Sequence, residues 1–357
     1  MTPAPLRVAV AGLGFGEQVH LEALKASPQW EPVALWHPRP ERLEQALARH
    51  GLRGSTEFAA LLDDPGIDAV VIATPPGPRF ALARAALEAG KHLMLEKPVA
   101  LDAEQVAELQ RLALARGLSV AVDFEYRVVP LFQQLAQLLQ QGVLGDPWLV
   151  RLDWLMASRA DASRPWSWYS SAAEGGGVLG ALGTHAFDLL HWLVGPTVEL
   201  GAQLSTAISQ RPHPHTKAPT PVDAEDIALI QLQLQGPGQR LVPAQMSLAS
   251  VTRGGRGCWL ELYGSEATLV LGSDNQSDYV HGFGLWIARA GEPLRAVAAD
   301  PALAFRRTWG DGRIAPVERL HGWWAEAIRA RRPMVPGLLE ALSSQRCCDQ
   351  ARQCLER

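Results

Sequence analysis

The chain of 357 residues lacks the features that mark several specialised classes of protein. It has no long run of Lys and Arg and carries a formal net charge of −4, which argues against a nucleic-acid partner. No apolar run approaches the roughly 18 residues that a membrane-spanning helix needs. No small-residue cleavage site follows the N-terminal residues and Glu17 interrupts them, so they fit a strand better than a secretory signal. We expect a cytoplasmic protein whose partner is a small-molecule substrate, not a nucleic acid or a membrane.

Cysteine is scarce, and its four positions form no metal or redox motif. None of Cys258, Cys347, Cys348 and Cys354 belongs to a CxxC pair. Buried or half-buried thiols in a reducing compartment are the expected state of all four. The His-Pro-His segment at 213–215 has no Cys or carboxylate beside it, so we predict no metal site.

The length of the chain indicates two domains, because a single core stops growing near roughly 250–300 residues. Residues 6–124 alternate strand and helix patterns, which predicts a parallel sheet covered on both faces. We assign residues 1–124 to this first domain. Its predicted strands are Leu6–Gly12, Pro32–Trp36, Ala69–Thr74, His92–Leu95 and Ser119–Phe124, and its predicted helices are Glu17–Ala26, Pro40–His50, Pro78–Ala89 and Asp102–Arg116.

The second domain, residues 125–357, shows a different pattern. Alternating apolar segments joined by turns predict a large, mostly antiparallel open sheet with accompanying helices. The segment Arg211–Pro221 holds four prolines and no apolar periodicity, so we predict an exposed loop there. We leave open that the C-terminal helix packs back on the first domain. The strand segments are Pro147–Met156, Glu199–Ile208, Ile227–Leu234, Val242–Ala249, Cys258–Tyr263 and Ala267–Leu271, and the helices are Pro130–Gln141, Val317–Arg331 and Leu338–Leu355.

A glycine-rich turn follows the first strand and precedes a helix. Gly12, Gly14 and Gly16, with Phe15 between them, would let backbone N–H groups approach a pyrophosphate at the helix N-terminus. The pattern departs from GxGxxG, because position 17 is Glu17 and the third glycine comes one place early. A tight strand–helix turn without ligand is the alternative. The following run of βα units favours dinucleotide binding.

The tip of the second strand bears on which dinucleotide binds. An acid there would bind the ribose 2′-OH of NAD, but this chain has His37, with Arg39 and Arg42 close behind. A guanidinium suits a 2′-phosphate, so we predict NADP in preference to NAD. The alternative is that both arginines belong to a solvated loop and helix face.

Two further turns follow apolar strands. Thr74 and Pro75 begin a rigid turn that could lie against adenine and ribose, or be an ordinary turn. Glu96 and Lys97 come directly after the strand His92–Leu95. An open parallel sheet binds its ligand at this carboxyl edge, and a Lys there can polarise a carbonyl or pass on a proton beside a redox cofactor.

Taken with a later glycine–histidine segment, these motifs resemble the glucose–fructose oxidoreductase / inositol dehydrogenase (Gfo/Idh/MocA) family. The resemblance covers nearly the whole chain. It rests on the glycine turn, the Thr-Pro turn, Glu-Lys-Pro at 96–98, Glu174–Asp188, Val222–Asp226 and Leu260–Glu266. It implies an α/β fold with an N-terminal Rossmann dinucleotide-binding domain and a C-terminal α+β domain on a large open sheet. The nicotinamide would lie between the domains, and the family's usual assembly implies a homodimer or homotetramer.

The resemblance also implies catalytic roles. Lys97 matches the family's catalytic lysine and His185 its catalytic histidine; without the resemblance, His185 would be read as a core histidine. The family often has an Asp four residues before that histidine, where this chain has Ala181, and a His where this chain has Arg79. Asp188 could replace the missing carboxylate, or it could cap or anchor its own helix.

Other polar and aromatic side chains are candidate substrate contacts. Glu125 and Arg127 follow the last strand of the first domain, and Arg164 and Trp166 precede the glycine-rich segment. An Arg could hold an anionic group and an aromatic face could stack on a sugar ring. Domain-interface packing is the alternative for this second pair. With Asp188, these four residues make up the predicted substrate set.

The sequence thus predicts an NAD(P)-dependent oxidoreductase that moves a hydride between nicotinamide and an alcohol or carbonyl of a sugar, cyclitol or related small molecule. Two alternatives stay open. One is a catalytically silent dinucleotide sensor, which Ala181 would suit. The other is a reductase of a conjugated C=C bond, as in a bilin, in a Trp-lined site. The sequence identifies neither the substrate nor the direction of reaction.

Overall fold

The computed structural model describes residues 3–275 and 282–354, and the chain divides into two compact units. The first unit contains the residues up to Glu125 together with Arg307–Leu342. The second contains Tyr126–Arg306 and the residues from Ser343 onward. Each unit is therefore assembled from two separate stretches of the chain.

The first unit is built on a six-stranded, wholly parallel sheet with strand order β3-β2-β1-β4-β5-β6. This is the strand order of a Rossmann fold, so the predicted architecture of the N-terminal domain is confirmed. The central strands are buried on both faces, which explains their uninterrupted apolar sequences. The strands are β1 (Leu6–Ala11), β2 (Trp30–Trp36), β3 (Arg53–Ser55), β4 (Ala69–Ile72), β5 (His92–Leu95) and β6 (Val120–Val122).

Helices connect these strands at the positions that the sequence predicts, within a few residues. The first begins as a π-helical segment, Gly16–Leu21, and continues directly as α1 (Glu22–Ala26). Asp102 caps the fifth helix by accepting a hydrogen bond from the backbone N–H of Gln105. The remaining helices of this stretch are α2 (Pro40–His50), α3 (Phe58–Leu62), α4 (Pro76–Glu88) and α5 (Ala103–Ala115). The short elements β3 and α3 are too brief to give a periodic signal, and the sequence did not reveal them.

The second unit is built on an eight-stranded sheet with strand order β16-β15-β14-β13-β7-β12-β11-β8. Only the central pair β7–β12 is parallel, so the predicted mostly antiparallel sheet is confirmed. The strands are β7 (Pro147–Leu155), β8 (Thr197–Ser205), β11 (Ile227–Gln235), β12 (Leu241–Ala249), β13 (Gly257–Gly264), β14 (Ala267–Ser273), β15 (Gly284–Arg289) and β16 (Arg295–Ala296), with β9 (Gln210–Pro212) and β10 (Pro219–Pro221) forming a separate hairpin.

The two faces of the eight-stranded sheet differ. One face packs against α6 (Pro130–Gln140) and α7 (Thr184–Leu193) in a large apolar core. The other face keeps apolar side chains exposed on three neighbouring strands: Leu149 on β7 is 37% exposed, Leu229 on β11 is 48% and Leu241 on β12 is 54%. The exposed leucines alternate on this face with polar side chains such as Arg151, Gln231 and Gln245.

The hairpin β9–β10 corrects a prediction. The segment Arg211–Pro221 is not a loop throughout, because Arg211 pairs with Thr220 across the two strands. The Arg211 side chain is buried and donates hydrogen bonds to the carbonyl oxygens of Arg159 and Asp161, both at 2.7 Å. Proline removes only its own N–H donor, so a two-stranded edge can include it. The prediction of a wholly exposed loop was wrong.

Two long helices complete the described chain: α8 (Ile314–Arg329) and α9 (Leu338–Gln353). Helix α8 belongs to the first unit, where Trp324 is fully buried and stacks on Trp30 of β2 with 4.5 Å between ring centroids. None of the helices in the described ranges has the length and apolarity that spanning a membrane requires.

The cysteines have the predicted state. Cys258, Cys347 and Cys348 are buried, Cys354 is partly exposed, and all four are free thiols. Burial raises the pKa of the Cys258 thiol above its ordinary value, so that group is uncharged at neutral pH.

Candidate functional site

The glycine turn after β1 has room for a ligand above it. Gly12 has φ +101°, and a Cβ at this position would lie 2.7 Å from the carbonyl oxygen of Ala73, so only glycine fits. A Cβ on Gly14 would meet no heavy atom within 4 Å. The open space at Gly14 therefore lies over the start of the helical segment Gly16–Ala26, where backbone N–H groups are unpaired within the helix. This cradle fits a pyrophosphate.

The departure from GxGxxG has a local explanation. Gly16, one place early, packs against β1 and β4: a Cβ there would lie 3.1 Å from Val10 Cγ1 and from Ala73 Cβ. Glu17 turns away and accepts hydrogen bonds from Arg49 Nη2 at 2.7 Å and His50 Nε2 at 2.9 Å. Position 17 thus ties the helix to α2, and Gly16 supplies the close helix–sheet contact.

The tip of β2 presents two free cations. Arg39 and Arg42 are exposed, and their guanidinium groups make no ion pair with any residue in the described ranges. Burial, with a smaller effect from these two charges, lowers the pKa of His37, so the imidazole is neutral near pH 7. His37 Nδ1 accepts a hydrogen bond from the backbone N–H of Arg39 at 3.1 Å. The two guanidinium groups are therefore available to an anion.

Arg79 holds the backbone on both sides of Lys97. It is buried on α4, and its guanidinium donates to the carbonyl oxygen of Glu96 at 2.7 Å and to those of Pro98 and Thr74. Burial lowers its pKa to about 10, so it remains charged at neutral pH. The residue that replaces the family's histidine is thus a clamp that joins the Thr-Pro turn to the Glu-Lys-Pro segment.

A buried acidic pair lies at the carboxyl edge of β5 and β6. Glu96 follows β5, Asp123 follows β6, and His20 faces both from the first helical segment. His20 Nε2 lies 2.9 Å from Glu96 Oε1 and 3.5 Å from Asp123 Oδ2. All three residues are less than a tenth exposed. Two carboxylates this close, out of water, cannot both carry a charge at low cost.

The environment decides which acid keeps the proton. Burial alone would raise the pKa of Glu96, but the hydrogen bond and charge of His20, with the charge of Lys97, lower it to about 2. Burial and the negative charges of Glu96 and Glu125 raise the pKa of Asp123 well above its ordinary value. Of the two acids, Glu96 therefore ionises first and Asp123 keeps its proton to higher pH. The three side chains also place one nitrogen and two oxygens within 4.8 Å of one another, a spacing that a cation could use. A proton on Asp123 lowers the negative charge of this cluster, as a bound cation would.

A second histidine supports the first. His321 of α8 is fully buried, and its Nε2 lies 3.0 Å from His20 Nδ1. Burial, with the charge of His20, lowers the pKa of His321 well below its ordinary value, so it stays neutral. Because Nδ1 of His20 is hydrogen-bonded to His321 and Nε2 to Glu96, the orientation of the His20 ring is fixed.

Lys97 and Glu125 complete this edge. Lys97 is half-buried directly after Glu96, and Glu125 follows β6 in a short 3₁₀ turn. Burial raises the pKa of Glu125 to about 7, against the opposing charge of Lys97. An acid that titrates near neutral pH beside a lysine is the arrangement expected of a proton-transfer site.

His185 lies in the second unit, in the first turn of α7. It is 3% exposed and packs edge-on against Tyr126, with 5.1 Å between ring centroids, while the tilted ring of Trp154 lies 6.2 Å away. These contacts fix the ring within an aromatic wall. Its catalytic role stays a prediction.

Arg127 and Asp188 pair with each other. Arg127 Nε and Nη2 donate to the two carboxylate oxygens of Asp188, both at 2.7 Å, and both residues are buried. This bidentate pair anchors α7 to the chain just before α6, which is one of the two alternatives left open for Asp188. Arg127 also lies 5.5 Å from the ring centroid of Trp192.

Arg164 and Trp166 contact their own unit. Arg164 is exposed and donates to the carbonyl oxygen of Ser158 at 2.6 Å. Trp166 is half-buried, and its indole N–H donates to the carbonyl oxygen of Pro221 at 2.9 Å. Their predicted substrate contacts stay predictions.

Sequence reasoning missed His20 and His321 and did not give Arg79 its clamping role. His20 lies four residues after Gly16, on the helix face that packs against the sheet, so helical spacing was a usable signal. His321 lies about 300 positions away from His20, and no local pattern connects the two.

The raised pKa of Glu125 predicts a specific pH dependence of stability. The unfolded chain loses this proton near pH 4.5 and the folded chain near pH 7. The contribution of protonated Glu125 to the free energy of unfolding is therefore complete below about pH 4.5 and is lost as the pH rises to about 7. Glu125→Gln should reduce the fall in unfolding free energy over that window, by up to about 3 kcal/mol. Chemical denaturation at several pH values measures it.

The matched control is Glu104→Gln, on the exposed side of α5, which should leave the pH profile unchanged. A Glu125→Gln profile parallel to that of the parent would contradict the assignment.

The comparisons with known proteins agree with this geometry. The model for the oxidoreductase family with an NAD-binding Rossmann fold matches residues 6–124, and the model for the GFO/IDH/MocA C-terminal domain matches residues 132–270. An uncharacterized oxidoreductase of Synechocystis sp. is 43% identical over 356 residues, which is 99% of this chain and 95% of that protein.

A further relative and a solved structure share one named activity. The levoglucosan dehydrogenase of Pseudarthrobacter phenanthrenivorans is 33% identical over 217 residues. The match spans 58% of this chain and 56% of that protein. A solved structure of levoglucosan dehydrogenase in complex with NADH and levoglucosan superposes with a TM-score of 0.86 at 25% identity, covering 99% of this chain and 97% of that one. The two family models and the relative from Synechocystis show that this chain belongs to the Gfo/Idh/MocA family of oxidoreductases, with an NAD-binding Rossmann fold.

Proposed function

We propose that the protein transfers a hydride between a nicotinamide dinucleotide and an alcohol or carbonyl carbon of a sugar, cyclitol or related small molecule. The observation that carries the proposal is the carboxyl edge of the parallel sheet. An open glycine turn, a lysine and an acid with a pKa near 7 all lie along that one edge.

The residues of the first unit fit the cofactor. The cradle at Gly12 and Gly14 would hold the pyrophosphate, with Phe15 beside it, and the turn at Thr74 and Pro75 would lie against the adenosine half. When bound, the nicotinamide supplies the carbon that gives or accepts the hydride.

Lys97 and Glu125 would handle the proton. The ammonium of Lys97 can donate a hydrogen bond to the substrate oxygen and stabilise the alkoxide that forms or disappears as the hydride moves. Glu125 can take up or release a proton near neutral pH, because burial places its pKa there. Glu96 stays ionised behind Lys97 and balances its charge.

We propose that His185 acts in the same proton transfer, as the resemblance implies. Ala181 stands one turn earlier, where the family often has an Asp, and Asp188 accepts two hydrogen bonds from the Arg127 guanidinium. Glu125, Arg127, Arg164, Trp166 and Asp188 are retained as the proposed substrate-side set.

The substrate class rests on two supports. One is the named activity of the levoglucosan dehydrogenase that this chain partly matches. The other is the Lys97–Glu125 pair, which suits a carbon that alternates between alcohol and ketone. A bilin-type C=C reductase would need a proton donor at carbon instead, and no contact in the described residues favours it.

Replacing Lys97 tests the enzyme proposal. With a panel of anhydro sugars, glucosides and inositols, Lys97→Met should lower kcat by about 100-fold or more, while the dissociation constant for the dinucleotide changes only a few-fold. Oxidation rates followed by dinucleotide absorbance, with binding followed by calorimetry, measure both.

Lys25→Met, on the exposed side of α1, is the matched control and should keep full activity. Dinucleotide binding without turnover on any panel member in the parent protein would favour the silent sensor instead. Absence of dinucleotide binding would overturn both functions.

We also propose NADP as the preferred cofactor, with NAD as the alternative. The exposed guanidinium groups of Arg39 and Arg42 are free to hold a 2′-phosphate, and no acid stands at the strand tip to bind a 2′-OH. The family model describes an NAD-binding Rossmann fold, so the preference for NADP rests on the two arginines alone.

Charge reversal at one arginine tests this preference. The parent should bind NADPH more tightly than NADH. Arg42→Glu should weaken the binding of NADPH by tenfold or more and leave the binding of NADH nearly unchanged. Arg346→Glu, exposed on α9, is the control and should change neither dissociation constant. Tighter binding of NADH by the parent would contradict the proposal.

A homodimer or homotetramer is the proposed assembly, as the family resemblance implies, and the exposed leucines Leu149, Leu229 and Leu241 on one face of the eight-stranded sheet support it. Sedimentation analysis that finds only monomer at micromolar concentration would end this proposal. Four free thiols support a cytoplasmic location.

A further inference from the structure

A cavity of about 440 Å³ lies in the first unit, at the amino edge of the parallel sheet. Its walls include His92 at the start of β5 and Val120 at the start of β6. Lys97 and Asp123 follow the other ends of the same two strands. A four-residue strand spans about 13 Å, so the cavity is separate from the glycine turn and the lysine. Its volume is in the range of small-molecule sites.

Most of the cavity wall is apolar. Leu114 and Leu118 come from the end of α5 and the residues after it, and Met334, Leu338 and Leu339 come from the second chain segment of this unit. Leu114 and Leu339 are 65% and 64% exposed, which is costly for large apolar side chains unless something covers them.

The charged side chains in the wall are cations. Arg331 and Arg332 line the cavity and are exposed, and within the described part of the chain neither guanidinium has an ion-pair partner. No Asp or Glu is among the described residues that line it. The charge of the cavity is therefore positive and unbalanced.

Two further donors lie deeper. Ser119 is 6% exposed, and its hydroxyl is buried without a hydrogen-bond partner among the described residues. A buried hydroxyl in that state is unfavourable until a ligand or water reaches it. His92 Nδ1 accepts a hydrogen bond from the backbone N–H of Ser119 at 2.9 Å, so the neutral ring carries its proton on Nε2.

Arg331 adds an independent observation. It has φ +49°, the left-handed conformation that helices normally give to glycine at this position after their last turn. Gly117 fills the equivalent place after α5, with φ +63°. Keeping an arginine there strains the backbone and places a guanidinium at the cavity.

The two helix ends at the cavity do not cancel this positive charge. The carbonyl groups that end α5 and α8 would favour a cation if they were free. At each end a backbone N–H group occupies one of them: that of Leu118 donates to the carbonyl oxygen of Ala113 at 3.0 Å, and that of Arg332 to the carbonyl oxygen of Ala327 at 3.1 Å.

We propose that this cavity is a binding site for a small amphipathic monoanion, such as a medium-chain carboxylate. Its carboxylate would accept from Arg331, Arg332 and the buried Ser119 hydroxyl, and its apolar chain would cover the exposed leucines. The site is distinct from the dinucleotide cradle and does not depend on the proposed reaction.

Octanoate is the probe, measured by calorimetry on the full chain. We expect saturable binding with one site per chain, at least tenfold tighter than octanol or octylammonium, and unchanged by saturating NADPH or NADH. Equal binding of octanol would show that the cations do not select the ligand and would overturn the proposal. Displacement by the dinucleotide, or no saturation at millimolar octanoate, would do the same.

Two variants separate binding from folding. Arg331→Gly should raise the melting temperature of the ligand-free protein by on the order of 2 °C, because glycine accepts the left-handed backbone. The same variant should bind octanoate more weakly, by tenfold or more. Ser119→Ala should weaken octanoate a few-fold without lowering the melting temperature, since it removes an unpaired hydroxyl. Arg295→Gln, on the exposed strand β16, is the matched charge control and should change neither quantity. Unchanged octanoate affinity in Arg331→Gly would overturn the proposal.

Discussion

The protonation of one buried acid pair determines the electrostatics of the candidate site. Glu96 and Asp123 end neighbouring strands of a parallel sheet, and the fold removes both from water. Because two adjacent buried charges of one sign are costly, one acid must keep its proton, and His20 decides which. Ionised Glu96 then stands directly before Lys97 and balances its ammonium. Without this asymmetry, the edge of the sheet would hold either too much negative charge or an uncompensated lysine.

The surrounding cations and helices maintain that arrangement. Arg79 fixes the backbone carbonyl groups on either side of Lys97, so the lysine projects from a constrained segment. His321, carried by α8, orients His20 from the opposite side. The position of the proton on the Glu96–Asp123 pair therefore depends on residues from two distant stretches of the chain. The segment Arg307–Leu342 belongs to the first unit, and through His321 it contributes to this arrangement.

Much of the fold could be predicted because its signals are local. The buried strand Ala69–Ile72 is apolar throughout, the Asp102 cap marks a helix start, and the glycine turn follows a strand. Lys97 could be placed at the carboxyl edge for the same reason. The histidine pair could not, because His20 and His321 meet only through tertiary packing. The hairpin at Arg211 was missed because its prolines suggested a loop, whereas the buried guanidinium that holds it has no periodic signature.

The most direct test of this account is the protonation state of Asp123 at neutral pH. Infrared difference spectroscopy of the parent against Asp123→Asn, with Glu96→Gln as the comparison, reads the carbonyl stretch of a protonated carboxylic acid. The account predicts that Asp123→Asn removes one such band and leaves the protein folded, while Glu96→Gln removes a carboxylate band instead. A parent spectrum in which Asp123 contributes only carboxylate bands at pH 7 would contradict it.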